Sequence, residues 1–280
     1  MDARKPFAGK AAWITGGATG MGRESALALA GMGCDVAIAS LPVSEKGTLR
    51  PEQNAVTLTD AELEATRAEI AALGVRALAF GLNVTKDDQV EATFRAVEKA
   101  FGRIDILINA AGNSARALMA GHPDAVWHNI LDVNLNGQYR TIRRVLPGMI
   151  ERRWGRIVNF ASTAANVGAA GYAAYCAAKA GILGLTRCVA LEGAPHGVSC
   201  NAINPGFVYS PQGAIAARMQ IAFDGTNLSI EEYRETVRRQ IPQQRWIPAG
   251  EVAALVAHLC RDEAFGITGQ DITVAGGALW

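Results

Sequence analysis

No cysteine in this sequence belongs to a Cys-x-x-Cys pair, and the five that occur are scattered at Cys34, Cys176, Cys188, Cys200 and Cys260. An odd, unclustered set excludes a disulfide framework and reads as small core residues in a reducing compartment. The four histidines, His122, His128, His196 and His258, lack metal-ligand spacing, so no metal is expected. An excess of either charge is also missing. Lys and Arg number 27 against 26 Asp and Glu, a net charge of +1 with no basic block. Nucleic acid and anionic membrane are therefore poor partners. Apolar runs are broken by Gly or charge before the ~20 residues that span a bilayer. The start, MDARKPFAGK, has no signal-peptide apolar core. A cytoplasmic protein with no membrane partner is expected.

What is present is rhythm. Short apolar runs alternate with longer helical patterns: AAWIT at 11–15, DVAIAS at 35–40, VRALAFGLNV at 75–84, IDILINAAG at 104–112, GRIVNFAS at 155–162, VSCNAINPG at 198–206, and ITGQDITVAGG near the end. Helical stretches near 124–153, 172–194 and 250–261 fall between the later runs. Apolar strands separated by amphipathic helices predict an α/β fold, a seven-stranded parallel sheet with helices on both faces. With no long linker, residues 1–280 read as one doubly wound, Rossmann-type domain. Two segments break the rhythm. Residues 41–59 read as an extended loop that could touch a cofactor, and 207–247, with the helical SIEEYRETVRRQ, as a substrate lid.

Strand AAWIT runs into GGATGMG, which puts glycines at 16, 20 and 22 before a helix. Glycine lets backbone approach a ligand without a Cβ between them. The following helix offers free N–H groups and the positive end of its dipole to a pyrophosphate. A carboxylate at the end of the second strand would select NAD; a base would select NADP. The strand here ends Ala39-Ser40-Leu41. Ser40 and Thr19 can hydrogen-bond either ribose group, and Lys46 or Arg50 can reach in from the long loop. Lacking an acid to repel a 2′-phosphate, the site points to NADP(H), with NAD(H) also open.

Tyr175 and Lys179 are four apart in YCAAK and share one helix face. An ammonium near a phenol favours phenolate, making the pair a tunable acid/base. Ser162 stands thirteen residues before Tyr175, just after a strand, where its hydroxyl can bind a carbonyl oxygen. Asn134, in VNLNG, can support a water, and Asn109, in NAAG, can tie neighbouring strands by backbone contacts.

Taken together, TGGATGMG, NAAG, VNLNG, the Ser162-to-Tyr175 spacing, YCAAK, NPGFVYS and ITGQDITVAGG resemble, in order and over nearly the whole chain, the short-chain dehydrogenase/reductase family in its shorter soluble subtype. The resemblance implies an NAD(P)(H)-dependent oxidoreductase that interconverts an alcohol and a ketone or aldehyde. Tyr175 would be its acid/base. Lys179 would lower the pKa of Tyr175 and hold the nicotinamide ribose. Ser162 would orient the substrate oxygen, and Asn134 would anchor a proton-relaying water. Cofactor contacts would come from Gly16, Thr19, Gly20, Met21, Gly22, Ser40, Asn83, Val84, Asn109, Ala110, Gly112, Tyr175, Lys179, Pro205, Gly206, Val208 and Ser210. Where the family often has Asp at the end of the third strand, this chain has Asn83, and Ser210 replaces the usual Thr.

Ser114, Thr163, Ala164, Tyr172 and Tyr209 are candidate pocket residues. With no Arg or Lys at a motif position, a small neutral substrate is expected. The resemblance also implies a homo-oligomer, a tetramer before a dimer, and Trp280 could cover a site or a subunit contact. Two alternatives compete. A 3-oxoacyl-carrier reductase would need a carrier-binding patch, for which Arg140, Arg143 and Arg144 are candidates. A non-catalytic cofactor-binding regulator is disfavoured because Tyr, Lys and Ser are all present.

Overall fold

The computed structural model describes residues 5–48 and 53–278; Arg50, Trp280 and the side chain of Lys46 lie outside the described residues. Its seven principal strands are β1 (Ala11–Thr15), β2 (Asp35–Ser40), β3 (Ala77–Gly81), β4 (Ile106–Asn109), β5 (Gly155–Phe160), β6 (Val198–Pro205) and β7 (Asp271–Val274). They form one sheet in the order β7-β6-β5-β4-β1-β2-β3, every neighbour pair parallel. Each of the seven apolar runs supplies one strand. β1 and β5 are buried at every position, as a strand covered on both faces requires.

Alternate side chains feed two cores. Ala12 and Ile14 of β1 join the core built with α1 (Gly20–Gly31), α2 (Asp60–Ala71) and α9 (Ala249–Leu259). Ala11 and Trp13 join that of α3 (Asp87–Phe101), α5 (Gly137–Glu151) and α6 (Ala173–Gly193). Each fully buried Leu or Ile contributes about 1.5–3 kcal/mol, so the two faces dominate folding. α6 is the one described helix long and apolar enough to cross a bilayer by length and composition. Its apolar character serves the core instead: Ile182, Leu183 and Val189 are buried against the sheet.

Three local features differ from the sequence reading. The stretch 124–153 is not one α-helix: α4 (Asp124–Leu131) and α5 are joined by a π-helical turn, Asp132–Asn136. The 41–59 connection is partly ordered: residues 43–48 form a 3-10 turn, and Gln53–Asn54 pair antiparallel with Ser114–Ala115 just after β4. The 207–247 excursion holds two helices, α7 (Pro211–Phe223) and α8 (Ile230–Gln240); α8 matches SIEEYRETVRRQ and opens with a Ser229/Glu232 capping box.

The strand order reverses beside β1, which pairs with both β2 and β4. In such sheets ligands bind at the carboxyl ends of the strands at this point.

Candidate active site

A cleft of about 350 Å³ opens there, lined in part by Gly16, Thr19, Gly20, Met21, Gly22, Ser40, Asn83, Val84, Ala110, Gly112 and Ser210. Eleven of the expected cofactor contacts thus share one wall system. The glycines are sterically required. Gly16 has φ +67°, and a Cβ on it would lie 2.7 Å from Ala111 N; one on Gly22 would lie 2.2 Å from Gly16 O. Neither contact is tolerable, so only glycine lets the turn close under the start of α1. Thr19, the N-cap of α1, makes no side-chain cap bond, which leaves the helix N-terminal N–H groups facing the cleft for an anion.

Several side chains do something other than expected. The Ser40 hydroxyl accepts from Ala18 N–H at 3.1 Å, so it braces the glycine turn. Asn83 is gripped on both sides: its Nδ2 donates to Glu45 (3.1 Å), and its Oδ1 accepts from Thr85 N (3.1 Å) and Oγ1 (2.8 Å). Asn109 is not part of the cleft lining. Its side chain donates to Asn159 Oδ1 (2.9 Å) and accepts from Thr141 Oγ1 (2.7 Å), locking β4 to β5 and α5. Its role is tying strands, through the side chain rather than the backbone, because position 109 points into the buried α5 face. Ser210 caps α7, accepting from Gly213 N at 2.9 Å, and its Cβ lies 3.3 Å from where a Cβ on Gly20 would sit, so α7 closes on the glycine turn. Ala55, Val56 and Leu58 also line the cleft, which brings the 41–59 segment to its wall.

Ser162, Tyr175 and Lys179 gather at the ends of β5 and α6, outside that lining but joined to it through Gly112. A Cβ on Gly112 would sit 2.9 Å from Asn134 Oδ1 and 3.6 Å from Lys179 Nζ. The Ser162 hydroxyl accepts from Ala164 N–H at 3.1 Å and hydrogen-bonds the Tyr175 phenol. Lys179, 4% exposed, donates from Nζ to Phe160 O at 2.8 Å and lies 5.5 Å from the Tyr175 ring centre. Burial pushes Tyr175 up to about 12, with the Ser162 hydrogen bond pulling against it. Burial also pulls Lys179 down to about 7. Desolvation is the largest cause of both shifts, and it disfavours the charged form of each group.

Asn134 sits in the π turn, fully buried. Such single-turn insertions recur at functional sites because they turn a side chain out of helical register. Its Nδ2 donates to Asn113 O (2.9 Å), Asn113 Oδ1 (3.0 Å) and Ile130 O (3.0 Å), while its Oδ1 has no partner. Asn113, which the sequence reading passed over, is held in turn by Asn129 at 3.1 Å; both line the cleft. The asparagine directly after NAAG was the available signal. Pro205 ends β6, Gly206 follows it, and Val208 opens a two-residue strand paired with Ile247–Pro248; none of the three is in the cleft lining. Gly206 fits because a Cβ there would lie 2.7 Å from that of Ala275, and Pro205 O accepts from Thr163 Oγ1 at 3.4 Å. Thr163 is therefore turned into the fold, not toward a pocket.

The arrangement has close counterparts. A family model described as enoyl-(acyl carrier protein) reductase matches residues 48–278. A 3-oxoacyl-(acyl-carrier-protein) reductase of Staphylococcus epidermidis is 35% identical over 268 residues, 96% of this chain and 98% of the relative. The chain belongs to the short-chain dehydrogenase/reductase family. Two solved structures superpose on this dehydrogenase/reductase with a TM-score of 0.86 each. An actinorhodin polyketide ketoreductase variant with NADPH is 32% identical and covers 96% of this chain and 97% of its own. NAD+-bound xylitol dehydrogenase is 29% identical and covers 98% of this chain and all of its own. As a short-chain dehydrogenase/reductase, the protein is an oxidoreductase acting on an alcohol/carbonyl pair.

Proposed function

We propose that residues 1–280 act as one domain that binds a nicotinamide dinucleotide in the glycine-turn cleft and interconverts a secondary alcohol and a ketone, with Tyr175 as acid/base. The observation that carries this reading is the meeting of Ser162, Tyr175 and Lys179 beside a cleft whose Gly16 and Gly22 cannot bear a Cβ. When bound, the nicotinamide supplies or takes up the hydride. Gly16, Gly20, Gly22 and the N–H groups that open α1 would hold its pyrophosphate, with Lys179 and Gly112 toward its nicotinamide end. Ser162 Oγ is fixed by Ala164 N–H and points at Tyr175, so it would position the substrate oxygen against the phenol. With its pKa near 12, Tyr175 carries its proton at neutral pH and donates it to the carbonyl oxygen. Lys179 Nζ, near 7, gains and loses a proton in the working range, and Asn134 Oδ1 is the buried acceptor beside it.

For coenzyme choice, no Asp or Glu stands among the described lining residues beside Ser40, and Lys86 is the one cation there. With no carboxylate to repel a 2′-phosphate, we infer use of both coenzymes with NADP(H) weakly preferred. The relatives support a nicotinamide cofactor in general: one solved neighbour carries NADPH, another NAD+.

The carrier-reductase reading draws on the name of the Staphylococcus relative. It is weakened by the arginines it requires. Arg144 pairs with Asp87 (2.9 Å) and Glu91 (2.7 Å), Arg143 with Asp87 (3.3 Å), and Arg140 with Asp132 (2.7 Å). These charges are neutralised within the fold, so a small-molecule substrate is favoured. Five free cysteines, three of them buried, fit a cytoplasmic setting. The expected homotetramer is supported by the exposed small-residue face of α6 at Ala177, Ala180 and Gly184.

The test is reduction of a ketone panel with NADH and NADPH separately, beside Tyr175→Phe. Loss of the phenolic proton should lower kcat by about 10²–10⁴-fold, with coenzyme binding retained. Undiminished turnover in Tyr175→Phe would sink the reading.

A further inference from the structure

Arg116 follows the short strand Ser114–Ala115, outside every motif in the sequence, yet its side chain is only 9% exposed. Of its three guanidinium nitrogens only Nη2 has a hydrogen-bond partner, Ala170 O at 2.8 Å; Nε and Nη1 are buried with none. The faces of the guanidinium are covered by Phe223, 3.9 Å from its carbon to the ring centre, and Tyr172, at 4.7 Å. Aromatic faces attract the cation but accept no in-plane N–H hydrogen bond, so the buried donors stay unsatisfied at real cost. The nearest carboxylate, Asp224 at the end of α7, is 3.9 Å from Nη1, beyond hydrogen-bond reach, and 44% exposed.

Location gives these donors a purpose. Tyr172 bridges Arg116 to the reacting end of the site, its ring centre 6.1 Å from that of Tyr175. Phe223 comes from α7 and Tyr233, which lies within electrostatic reach of Arg116, from α8. The guanidinium thus stands at the seam between Tyr175 and the 207–247 excursion.

We propose that Arg116 is the specificity-determining residue for a substrate that bears a carboxylate a few bonds from its carbonyl or alcohol carbon, which revises the neutral substrate expected from the sequence. This rests on the Tyr175 oxidoreductase reading above. The substrate carboxylate meets the free guanidinium N–H groups, Tyr172 and Phe223 flank it, and the carbonyl reaches Ser162 and Tyr175. Asp224 competes for the same cation from the solvent side.

The experiment uses the full chain with its preferred coenzyme and straight-chain 3-, 4- and 5-oxo acids, each beside its methyl ester. The ester keeps the carbonyl and removes the charge. The wild-type protein should favour the acid over its ester by tenfold or more in kcat/KM at one chain length. Arg116→Met should lower that ratio by about 10- to 100-fold, mainly through KM, the range of a lost charged hydrogen bond. Asp224→Asn should raise it, giving an independent readout if Arg116→Met folds poorly. Equal losses for acid and ester in Arg116→Met would make the residue a structural clamp and overturn the proposal. So would Tyr175-dependent turnover of esters with no acid preference at any length, which leaves the oxidoreductase reading standing. Absence of Tyr175-dependent turnover on every ketone would overturn both.

Discussion

Burial shifts Lys179 and Tyr175 in opposite directions for one reason: it disfavours the charged form of each. Lys179 falls to about 7 from an ordinary 10.5 because its ammonium loses water and gains only the Phe160 carbonyl. Between about pH 7 and 10.5 the unfolded chain binds a proton that the native protein does not, so stability should rise with pH across that window. Tyr175, raised to about 12 from 10, acts the other way above pH 10, where the unfolded chain ionises first. Replacing Lys179 by Met should therefore stabilise the fold at pH 7, by roughly 2–4 kcal/mol. The gain should shrink toward pH 10 while activity is lost. Urea unfolding of both proteins at pH 7 and 9.5 checks this; a gain that does not change with pH would refute the linkage. Tyr175, Lys179 and Ser162 were legible in the sequence because their spacing fixes one helix face and one strand end. The setting of Arg116 was not, because its burial comes from Phe223, more than a hundred residues away in the chain.

At the scale of elements, the end of β2, the glycine turn and the 41–59 connection meet at one junction. Ser40 ties the first two through Ala18 N–H, and Val56 and Leu58 supply the wall. A carboxylate at position 40 can keep the Ala18 bond while repelling a 2′-phosphate. Ser40→Asp should therefore move the NADH-to-NADPH ratio of kcat/KM toward NADH by about tenfold or more, the order of one unfavourable charge contact. An unchanged ratio would place the ribose elsewhere. The inner strands were readable from sequence because burial on both faces leaves uninterrupted apolar runs, whereas the edge strands β3 and β7 are only partly buried. The π turn was not: Asp132–Asn136 inserts into a stretch whose helical period continues on both sides. α7 was also missed, since PQGAIAARMQIAF carries small and apolar residues all round and presents no stripe.

At the scale of the whole molecule, the outer face of α6 stays exposed. Along α6, Ala177, Ala180 and Gly184 are exposed, as is Leu191 further on (78%), while the opposite side carries Lys179, Ile182 and Leu183 into the core. Tyr175 and Lys179 belong to this same helix, so whatever packs on its outer face also steadies the acid/base pair. Small residues permit backbones to approach closely, the arrangement expected if copies of the chain meet through α6. A Cβ on Gly184 would meet nothing within 4 Å, so a larger side chain there leaves the isolated fold undisturbed. The double substitution Ala180→Glu and Gly184→Glu should thus convert the proposed homotetramer to smaller species, measured by sedimentation, with little change in the circular dichroism of the fold. Two like charges facing their copies across the contact would disfavour it by several kcal/mol. An unaltered tetramer would move the interface to another face, and the outer surface of α6 would then be an ordinary solvated one.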